Sequence, residues 1–479
     1  MTKYLMIKKI VAIALFVLSP IVVYAQTART FSVQLSSDGK ASMQVYLPEN
    51  PNGKAVVGCP GGGYSGLAIN HEGKDWVNFF NNKGIAYFIL TYRMPNGDRT
   101  IPMTDAQTAI RTVRDSADAW NVSRHAVGIM GFSAGGHLAS TTACHAPIEA
   151  RPDFQILFYP VISMLEKQSH KGSCVNFLGK DLQDEKIVRK FSNMNAVRRH
   201  RTPPAIIFAS ADDDKVPTAT NAIPYFLSLR KAGIPAELHV YPTGKHGWGF
   251  RNRFSKHYQM VSTLSQWLDE LSLPNNKAVR VACIGNSITD GHGIDMVDVN
   301  SYPAQMQRML GPDFCVKNFG VSGRTMLNNG DHPYMIEKSW EEAKAFNPDI
   351  VVIKLGTNDS KPVNWTLHSQ QYTADMQQMI DELKALPSKP LIYLCTPLQA
   401  NHVTTNTEKQ IRNDVIANEV IPMIRKVAKK NKIEIIDLYP EISPDSDAMS
   451  NDGIHPSAKG AGIMAKKIAE VLRKAKAMR

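Results

Sequence analysis

The sequence has only six cysteines in 479 residues, and they lie far apart. It contains no Cys-x-x-Cys pair and no cluster of cysteine and histidine at the spacing of a zinc site. These absences argue against the disulfide scaffold of a small secreted protein and against a structural metal. Internal repeats and low-complexity tracts are also absent, which argues against solenoids and disordered chains. The length predicts two or three globular domains that are stabilised by packing.

Long hydrophobic runs are scarce, and the main one lies near the N-terminus at residues 10–23. It follows Lys3, Lys8 and Lys9 and ends in a small-residue site. This pattern is typical of an export signal, so we expect residues 1–25 to be a cleaved signal peptide. The alternative, an uncleaved membrane anchor, needs about 20 apolar residues, and this run is shorter. The mature protein is therefore expected in the periplasm or outside the cell, without stable insertion into a membrane.

An excess of basic residues gives the chain a formal net charge of +12. Three of these charges belong to the export segment, and no Lys/Arg block outside the last helix is longer than a pair. A nucleic-acid-binding surface needs cations clustered towards the phosphates. The pattern therefore predicts a solvated surface and no nucleic-acid partner. The basic, amphipathic last helix is expected to pack on its own domain, with docking on a partner as the alternative.

Short apolar runs alternate with amphipathic stretches along the mature chain, which predicts βαβ units and mainly parallel sheets. A polar Pro/Asn segment at residues 274–278 interrupts this pattern, and a second series follows it. We predict an α/β fold of two tandem domains, residues 26–273 and 279–479, joined by this linker. The predicted strands are residues 55–57, 86–90, 126–130, 205–209, 236–241, 279–284, 314–318, 350–354, 391–395 and 433–436. The predicted helices include residues 74–82, 104–120, 219–232, 257–271, 370–386, 410–430 and 458–476.

A serine stands between glycines where a predicted strand of the first domain meets a helix. The strand at residues 126–130 is followed by a Gly-x-Ser-x-Gly motif around Ser133. Such a turn exposes the serine as a nucleophile, and glycines are needed because a Cβ beside it would clash. The motif alone occurs by chance, so its position between strand and helix carries the prediction. Upstream, the N–H groups of Gly62 and Gly63, together with that of Ala134, can form an oxyanion hole.

An acidic cluster and a histidine follow this serine in a meaningful order. Asp212 to Asp214 come after a predicted strand, and His246 lies between glycines after the next one. The histidine can act as the general base of Ser133, and one of the aspartates can orient its ring. The order Ser, Asp, His is the one that α/β-hydrolases use. A solvated turn is the alternative interpretation of the acidic cluster taken alone.

Residues 55–250 resemble the α/β-hydrolase carbohydrate esterases known as acetyl xylan esterases, which are related to dienelactone hydrolases. The matching stretches are Cys59-Pro60-Gly61-Gly62-Gly63-Tyr64, Thr104-Asp105-Ala106, Gly131-Phe132-Ser133-Ala134-Gly135-Gly136-His137-Leu138-Ala139 and Lys245-His246-Gly247. The resemblance implies an α/β-hydrolase fold. It also implies Asp213 as the acid, because this residue stands four positions before the Pro of a Val-Pro pair. Tyr64 and Trp248, which neighbour the glycine run and the histidine, are expected to contact substrate.

The second domain carries polar residues and glycines after successive predicted strands. Ser287 follows the first of these strands, and Gly323, Asn358 and the pair Asp452 and His455 come later. Because parallel strands end at one edge of a sheet, these residues can converge there. Their types suit a nucleophile, Ser287, with His455 as its base and Asp452 as the orienting acid. The N–H groups of Ser287 and Gly323 and the amide of Asn358 can form an oxyanion hole; ordinary turns are the alternative for each block alone.

These blocks resemble the SGNH, or GDSL-type, hydrolases over residues 279 to about 475. Within that family the strongest likeness is to carbohydrate acetylesterases, including those called sialate O-acetylesterase-like. The resemblance implies a flavodoxin-like, three-layer α/β/α fold for this domain. Asn286 departs from it, since many members have Asp before the serine, and this points away from the lipase branches. Trp365, shortly after Asn358, is expected either to line the substrate site or to belong to the core.

Two serine-hydrolase sites in one exported chain predict O-deacetylation of a polysaccharide or glycan, with acetylated xylan or a similar plant polysaccharide as the leading substrate. A bulkier acyl group, such as feruloyl, is the alternative for one of the two sites. This chemistry needs no metal and no organic cofactor. One alternative is a sialate O-acetylesterase that acts on host glycans; another is one active domain beside a glycan-binding module. A peptidase is disfavoured because no gating domain precedes the hydrolase, and a lipase because no long apolar lid segment is found.

Overall fold

The computed structural model describes residues 29–477, and the predicted signal peptide at residues 1–25 lies outside them. Two separate β-sheets, one of eight strands and one of five, divide these residues into two α/β domains. Helices cover the sheets, so the inner strands bury side chains on both faces, whereas the edge strand β1 has no buried residue. The predicted fold class is thereby confirmed.

The N-terminal sheet contains β1 (Arg29–Gln34), β2 (Ser42–Leu47), β3 (Gly53–Cys59), β4 (Ala86–Thr91), β5 (Val122–Phe132), β6 (Gln155–Phe158), β7 (Ala205–Ser210) and β8 (Ala236–Tyr241). Their order across the sheet is β1-β2-β4-β3-β5-β6-β7-β8. The pairs β1–β2 and β2–β4 are antiparallel, and the other pairs are parallel. The C-terminal ends of β3, β5, β7 and β8 therefore lie on the same side of the sheet.

The α-helices of this domain are α1 (Val77–Asn82), α2 (Thr100–Asp115), α3 (Ala117–Trp120), α4 (Ser133–His145), α5 (Lys171–Leu178), α6 (Glu185–Phe191), α7 (Ala222–Lys231) and α8 (His257–Glu270). Two predicted helices are divided. Residues 74–76 form a 3-10 turn ahead of α1, and Ser116 separates α2 from α3. The strands β1, β2 and β6 were not singled out in the sequence: β1 is partly exposed, and β6 has four residues.

The C-terminal sheet contains β9 (Val279–Gly285), β10 (Phe314–Asn318), β11 (Ile350–Lys354), β12 (Leu391–Cys395) and β13 (Glu434–Ile436), all paired parallel in the order β10-β9-β11-β12-β13. Its α-helices are α9 (Ser287–Asp290), α10 (Val297–Asn300), α11 (Tyr302–Leu310), α12 (Lys338–Ala345), α13 (Pro362–His368), α14 (Tyr372–Lys384), α15 (Asn413–Val415), α16 (Ile421–Asn431) and α17 (Ala458–Ala477). A π-helical turn at Ile416–Val420 divides the predicted helix at 410–430. Pro422, which has no backbone N–H to donate, lies just after this turn.

Each sheet separates two apolar layers. In the N-terminal domain, one layer includes Val57 and Leu138 and the other includes Trp76 and Phe158. The C-terminal domain has the same arrangement. Its helix α17 buries Met464 completely in one of these layers, so the last helix packs on its own domain as expected.

The two domains contact each other through polar groups as well as through the linker. In the linker, the carbonyl oxygen of Pro274 accepts a hydrogen bond from Ser123 Oγ at 2.7 Å. Away from it, Glu342 of the C-terminal domain pairs with Arg151 and Arg201 of the N-terminal domain, at 3.4 and 2.7 Å. A cleft of about 1010 Å³, lined by both domains, lies beside these contacts.

No helix within residues 29–477 is long and apolar enough to cross a membrane. Over the same residues, no group of three or more His, Cys, Asp and Glu side chains is arranged to hold a metal ion. The six cysteines are free thiols, and five of them are buried.

Candidate active sites

The first site is built on the turn between β5 and α4. Ser133 is the first residue of α4 and has a left-handed backbone, with φ of +52°. A Cβ on Gly131 would lie 2.2 Å from the carbonyl oxygen of Gly135. A Cβ on Gly135 would lie 2.0 Å from the carbonyl oxygen of Cys59. Glycine is therefore required on both sides of Ser133, because the strand and the helix approach too closely for a side chain.

The loops after β7 and β8 bring an acid and a histidine to this serine. Ser133 Oγ lies 2.8 Å from His246 Nε2, and His246 Nδ1 lies 2.7 Å from Asp213 Oδ2. The other oxygen, Asp213 Oδ1, accepts the backbone N–H groups of Lys215 and Val216, so the carboxylate is held in place. The side chain of Asp213 is fully buried, whereas that of His246 is 19% exposed.

The neighbouring aspartates have different surroundings. Asp212 is exposed and accepts the N–H groups of Gly244 and Lys245, at 3.3 and 2.8 Å, and thereby ties the histidine loop to the loop after β7. Asp214 is also exposed. The structure therefore places Asp213, the residue that the resemblance implies, against the histidine.

The glycine run forms a tight loop beside the serine. Gly62 and Gly63 have φ of +135° and +66°, and a Cβ on Gly62 would lie 2.2 Å from the carbonyl oxygen of Gly66. Within residues 29–477, the N–H groups of Gly62 and Gly63 donate to no protein acceptor. Ala134 follows the serine at the start of α4, where backbone N–H groups lack intrahelical partners. These N–H groups are therefore available to an oxyanion.

A buried carboxylate, which sequence analysis missed, supports this loop. Glu72 is 3% exposed and accepts the N–H of Gly61 at 2.7 Å and the hydroxyl of Tyr159 at 2.8 Å. Burial raises the pKa of Glu72, while these two hydrogen bonds oppose the rise. The ring of Tyr159 packs edge-on against that of His246, 4.9 Å between centroids. A glutamate shortly after a glycine run was the available sequence signal, but its partners are far apart in the chain.

A second missed residue, His170, faces the same loop. A Cβ on Gly63 would lie 3.2 Å from His170 Cε1. The Nδ1 atom of His170 accepts the backbone N–H of Ser173, so the ring caps helix α5. Burial lowers the pKa of His170, and the nearby His246 adds to this effect.

The second site is built on the turn between β9 and α9. Ser287 is the first residue of α9, and a Cβ on Gly285 would lie 2.7 Å from the carbonyl oxygen of Lys354. Asn286 is fully buried, and its side-chain oxygen accepts the N–H of Ile288 at 3.1 Å. The amide thus caps the short helix as a carboxylate oxygen would. Its nitrogen has no hydrogen-bond partner among the described residues.

Asp452 and His455 lie together on the loop before α17 and face this serine. Ser287 Oγ lies 2.7 Å from His455 Nε2, and His455 Nδ1 lies 2.6 Å from Asp452 Oδ2. Asp452 Oδ1 accepts the N–H groups of Ile454 and His455 itself. The side chain of Asp452 is 43% exposed, in contrast to that of the acid in the first site.

The electrostatics of the second site keep the acid charged and the base neutral. Burial opposes ionisation of Asp452, but its hydrogen bonds with His455 and Ile454 lower its pKa well below the usual range. Burial lowers the pKa of His455, and this effect exceeds the opposing effect of Asp452. The ring of His292, 4.7 Å away, lowers it further. His455 is therefore suited to accept a proton from Ser287.

Of the three predicted oxyanion groups of the second site, the N–H of Ser287 lies at the start of α9 and the other two lie on neighbouring loops. Gly323 follows β10 and has φ of +82°. Asn358 follows β11, and its side-chain nitrogen donates to the carbonyl oxygen of Arg324 at 3.1 Å, which links the two loops. Asp359, fully buried, accepts the N–H groups of Met326 and Leu327, and burial raises its pKa to about 6.

Tyr64 and Trp248, which were expected to contact substrate, lie in the core, and so does Trp365, for which the core was one of the two alternatives. Tyr64, Trp248 and Trp365 are 1%, 4% and 3% exposed. The hydroxyl of Tyr64 lies 2.9 Å from His137 Nδ1. The indole N–H of Trp248 donates to Ser210, and that of Trp365 donates to Glu419. Their polar atoms are thus already satisfied inside the protein, and we do not propose them as substrate contacts.

Each domain matches a known family. Residues 43–223 match the BD-FAE family, and residues 283–463 match the GDSL-like Lipase/Acylhydrolase family. Among solved structures, the crystal structure of acetyl ester-xyloside bifunctional hydrolase from Caldicellulosiruptor lactoaceticus is 28% identical, with a TM-score of 0.47. That similarity covers 52% of this chain and 97% of that one.

Curated proteins extend the likeness to the whole chain. Endo-1,4-beta-xylanase B from Butyrivibrio fibrisolvens is 32% identical over 206 residues, which cover 39% of this chain and 31% of that protein. Acetylxylan esterase from Xylanibacter ruminicola is 50% identical over 467 residues, which cover 94% of this chain and 96% of that protein. With this identity across nearly the full length of both proteins, the chain belongs to the family of the Xylanibacter ruminicola acetylxylan esterase and is a carboxylic-ester hydrolase.

Proposed function

We propose that this protein is an exported acetylxylan esterase with two independent serine sites. The observation that carries the proposal is that two hydrogen-bonded Ser–His–Asp chains stand in one polypeptide, each at its own strand–helix turn. The identity to an acetylxylan esterase over nearly the whole chain supports the substrate class. The basic segment and apolar run at residues 1–25 support export.

The same chemical steps fit both sites. The serine oxygen attacks the acetyl carbonyl while the histidine Nε2 takes its proton. The predicted oxyanion donors of each site stabilise the negative charge on the carbonyl oxygen. Collapse of this intermediate breaks the ester bond, and the histidine returns the proton to the sugar oxygen. Water, activated by the same histidine, then hydrolyses the acetyl-enzyme and releases acetate.

Acetate release from acetylated xylan by serine variants tests the two-site proposal. Ser133→Ala and Ser287→Ala should each retain part of the activity, and the double variant should lose it, because removing such a nucleophile commonly costs about 10⁶ in kcat. Wild-type activity in the double variant would refute the mechanism. Complete loss in either single variant would refute two independent sites.

Labelling with a fluorophosphonate probe distinguishes a second enzyme site from a glycan-binding module. The probe reacts with activated serines, so we expect one label on each single variant and none on the double variant. Failure of Ser287 to react in the Ser133→Ala protein would favour the binding-module alternative. O-acetylated sialoglycan and acetylated pectin, run beside xylan, test the substrate class; faster acetate release from sialoglycan would overturn the xylan assignment.

Export is tested separately on the full chain. We expect the protein from a periplasmic or culture fraction to begin at or near Gln26, as read by N-terminal sequencing. Retention of residues 1–25 in a membrane fraction would refute cleavage and favour the anchor.

A further inference from the structure

A side chain of the N-terminal domain reaches the C-terminal site. His200 lies between α6 and β7, and its side chain is 8% exposed. Its Nδ1 atom lies 2.6 Å from Asp298 Oδ1, and its Nε2 atom lies 3.0 Å from Asp290 Oδ1 and 2.9 Å from the Asp290 carbonyl oxygen. The backbone of His200 is left-handed, with φ of +60°, a conformation that few side chains adopt without support from their surroundings.

Asp290 connects this histidine to the oxyanion loop of the C-terminal site, which we define as residues 320–323. It is the last residue of α9, three positions after Ser287, and its second oxygen accepts the hydroxyl of Ser322 at 2.5 Å. Arg199 approaches the same oxygen at 3.7 Å. Ser322 directly precedes Gly323, whose N–H is a predicted oxyanion donor. A continuous chain of hydrogen bonds thus runs from the N-terminal domain to the peptide that carries this N–H.

Other hydrogen bonds also hold the oxyanion loop: Arg324 Nη1 donates to the Ser322 carbonyl oxygen at 2.7 Å, and Asn358 Nδ2 donates to the Arg324 carbonyl oxygen at 3.1 Å. Val321 N–H donates to the carbonyl oxygen of Gly285 at 3.0 Å, and a Cβ on Gly320 would lie 2.2 Å from the backbone nitrogen of Asp290. The loop therefore lies directly on the backbone of α9. Around Gly323, the nearest atom that a Cβ would meet is His332 Cδ2, at 4.0 Å. Two side chains thus contact the peptide that carries the donor, Arg324 at its carbonyl oxygen and Asp290 at the Ser322 hydroxyl, and the second contact is the one that leads to the N-terminal domain.

The charges of His200, Asp290 and Asp298 favour a stable ion-paired contact. Both ring nitrogens of His200 face carboxylate oxygens, which requires a proton on each nitrogen. Although burial lowers the pKa of His200, its hydrogen bonds with Asp290 and Asp298 and their charges raise it to about 9. The positive charge of the imidazolium thus balances the negative charge of Asp290, whose carboxylate is largely buried.

We propose that His200 is a positioning residue for the C-terminal site: it holds Asp290, and Asp290 orients Ser322 and the Gly323 N–H towards the developing oxyanion. The N-terminal domain thereby completes the site of its neighbour. This inference rests on the proposed activity of Ser287. An oxyanion donor stabilises the transition state more than it stabilises bound substrate. Displacing the donor therefore lowers kcat more than it changes KM.

The test compares two interface variants in proteins with one remaining nucleophile. In the Ser133→Ala protein, His200→Gln should lower kcat for acetyl ester hydrolysis about tenfold or more, with KM changed less than about threefold. In the Ser287→Ala protein, His200→Gln should leave kcat unchanged. Glu342→Gln is the matched control, because it breaks the pairs with Arg151 and Arg201 at the same interface without touching the oxyanion loop. It should leave kcat unchanged in both proteins.

A double-mutant cycle tests the route of the effect. Ser322→Ala should lower kcat by a similar factor in the Ser133→Ala protein, and adding His200→Gln should cost little more, because both act through one hydrogen-bond chain. Equal losses from His200→Gln and Glu342→Gln would reduce His200 to a docking contact and overturn the inference. Inactivity of the Ser133→Ala protein itself would instead refute the proposed function and the inference with it.

Discussion

The two triads differ in how their acids meet water, and this difference predicts unequal responses to alanine substitution. The side chain of Asp213 is fully buried, and that of Asp452 is 43% exposed. Both lie close to their histidines, at 2.7 and 2.6 Å. Asp213→Ala removes the buried negative charge that stabilises the His246 imidazolium during catalysis, and water has little access to replace it. After Asp452→Ala, water can take up part of the lost role.

The magnitude follows from Coulomb's law. Opposite charges about 4 Å apart attract by about 4 kcal/mol at an effective dielectric constant of 20, and by about 1 kcal/mol in bulk water. Asp213 corresponds to the first case, and exposure moves Asp452 towards the second. The difference of up to about 3 kcal/mol equals up to about a hundredfold in rate. We therefore expect Asp213→Ala to slow its site about ten to a hundred times more than Asp452→Ala slows the other site.

The assay is kcat for 4-nitrophenyl acetate in proteins that retain one nucleophilic serine. Asparagine variants are the control, because in both triads one carboxylate oxygen accepts two backbone N–H groups and the other faces the histidine. An asparagine whose side-chain oxygen still accepts the two backbone N–H groups turns its NH₂ towards the histidine. The histidine ring then takes the wrong tautomer. Both asparagine variants should thus lose about 10⁴ in kcat. Equal losses for the two alanine variants, with unchanged melting temperatures, would refute the reasoning.

Burial lowers the pKa of His455, so this base stays neutral at lower pH than an ordinary histidine. In a protein that retains only the C-terminal serine, the acid limb of kcat/KM should lie below about pH 6.5; an acid limb above that value would contradict this. Glu72→Gln removes the charge that holds Gly61 and should lower kcat about tenfold at the N-terminal site alone; an unchanged rate in the matching single-serine protein would contradict it. Gly135→Ala would place a Cβ 2.0 Å from the Cys59 carbonyl oxygen. Denaturant unfolding should report a loss of about 3 kcal/mol, and a loss within measurement error would contradict the clash.

Local pattern accounts for most of the fold. The strands β8, β10, β11 and β12 have the predicted bounds, because each is a short run containing apolar residues that turn residues delimit on both sides. The divided helices show where local pattern fails. Helical periodicity continues through residues 410–430, but the helix begins only at Asn413, and its hydrogen bonds are π-helical at Ile416–Val420, ahead of Pro422. Periodicity reports which face is apolar and does not report the hydrogen-bonding pattern.

The sequence by itself determined the two α/β domains, the family of each domain, and the order in which serines, acids and histidines follow the strands. These properties depend on residue type and spacing along the chain. Only the tertiary structure decided which side chains meet: Tyr64 and Trp248 point into the core, Glu72 supports the glycine loop, and His200 crosses to Asp290. The direction of a loop side chain depends on backbone turns and on partners far away in the sequence, and spacing along the chain does not record them.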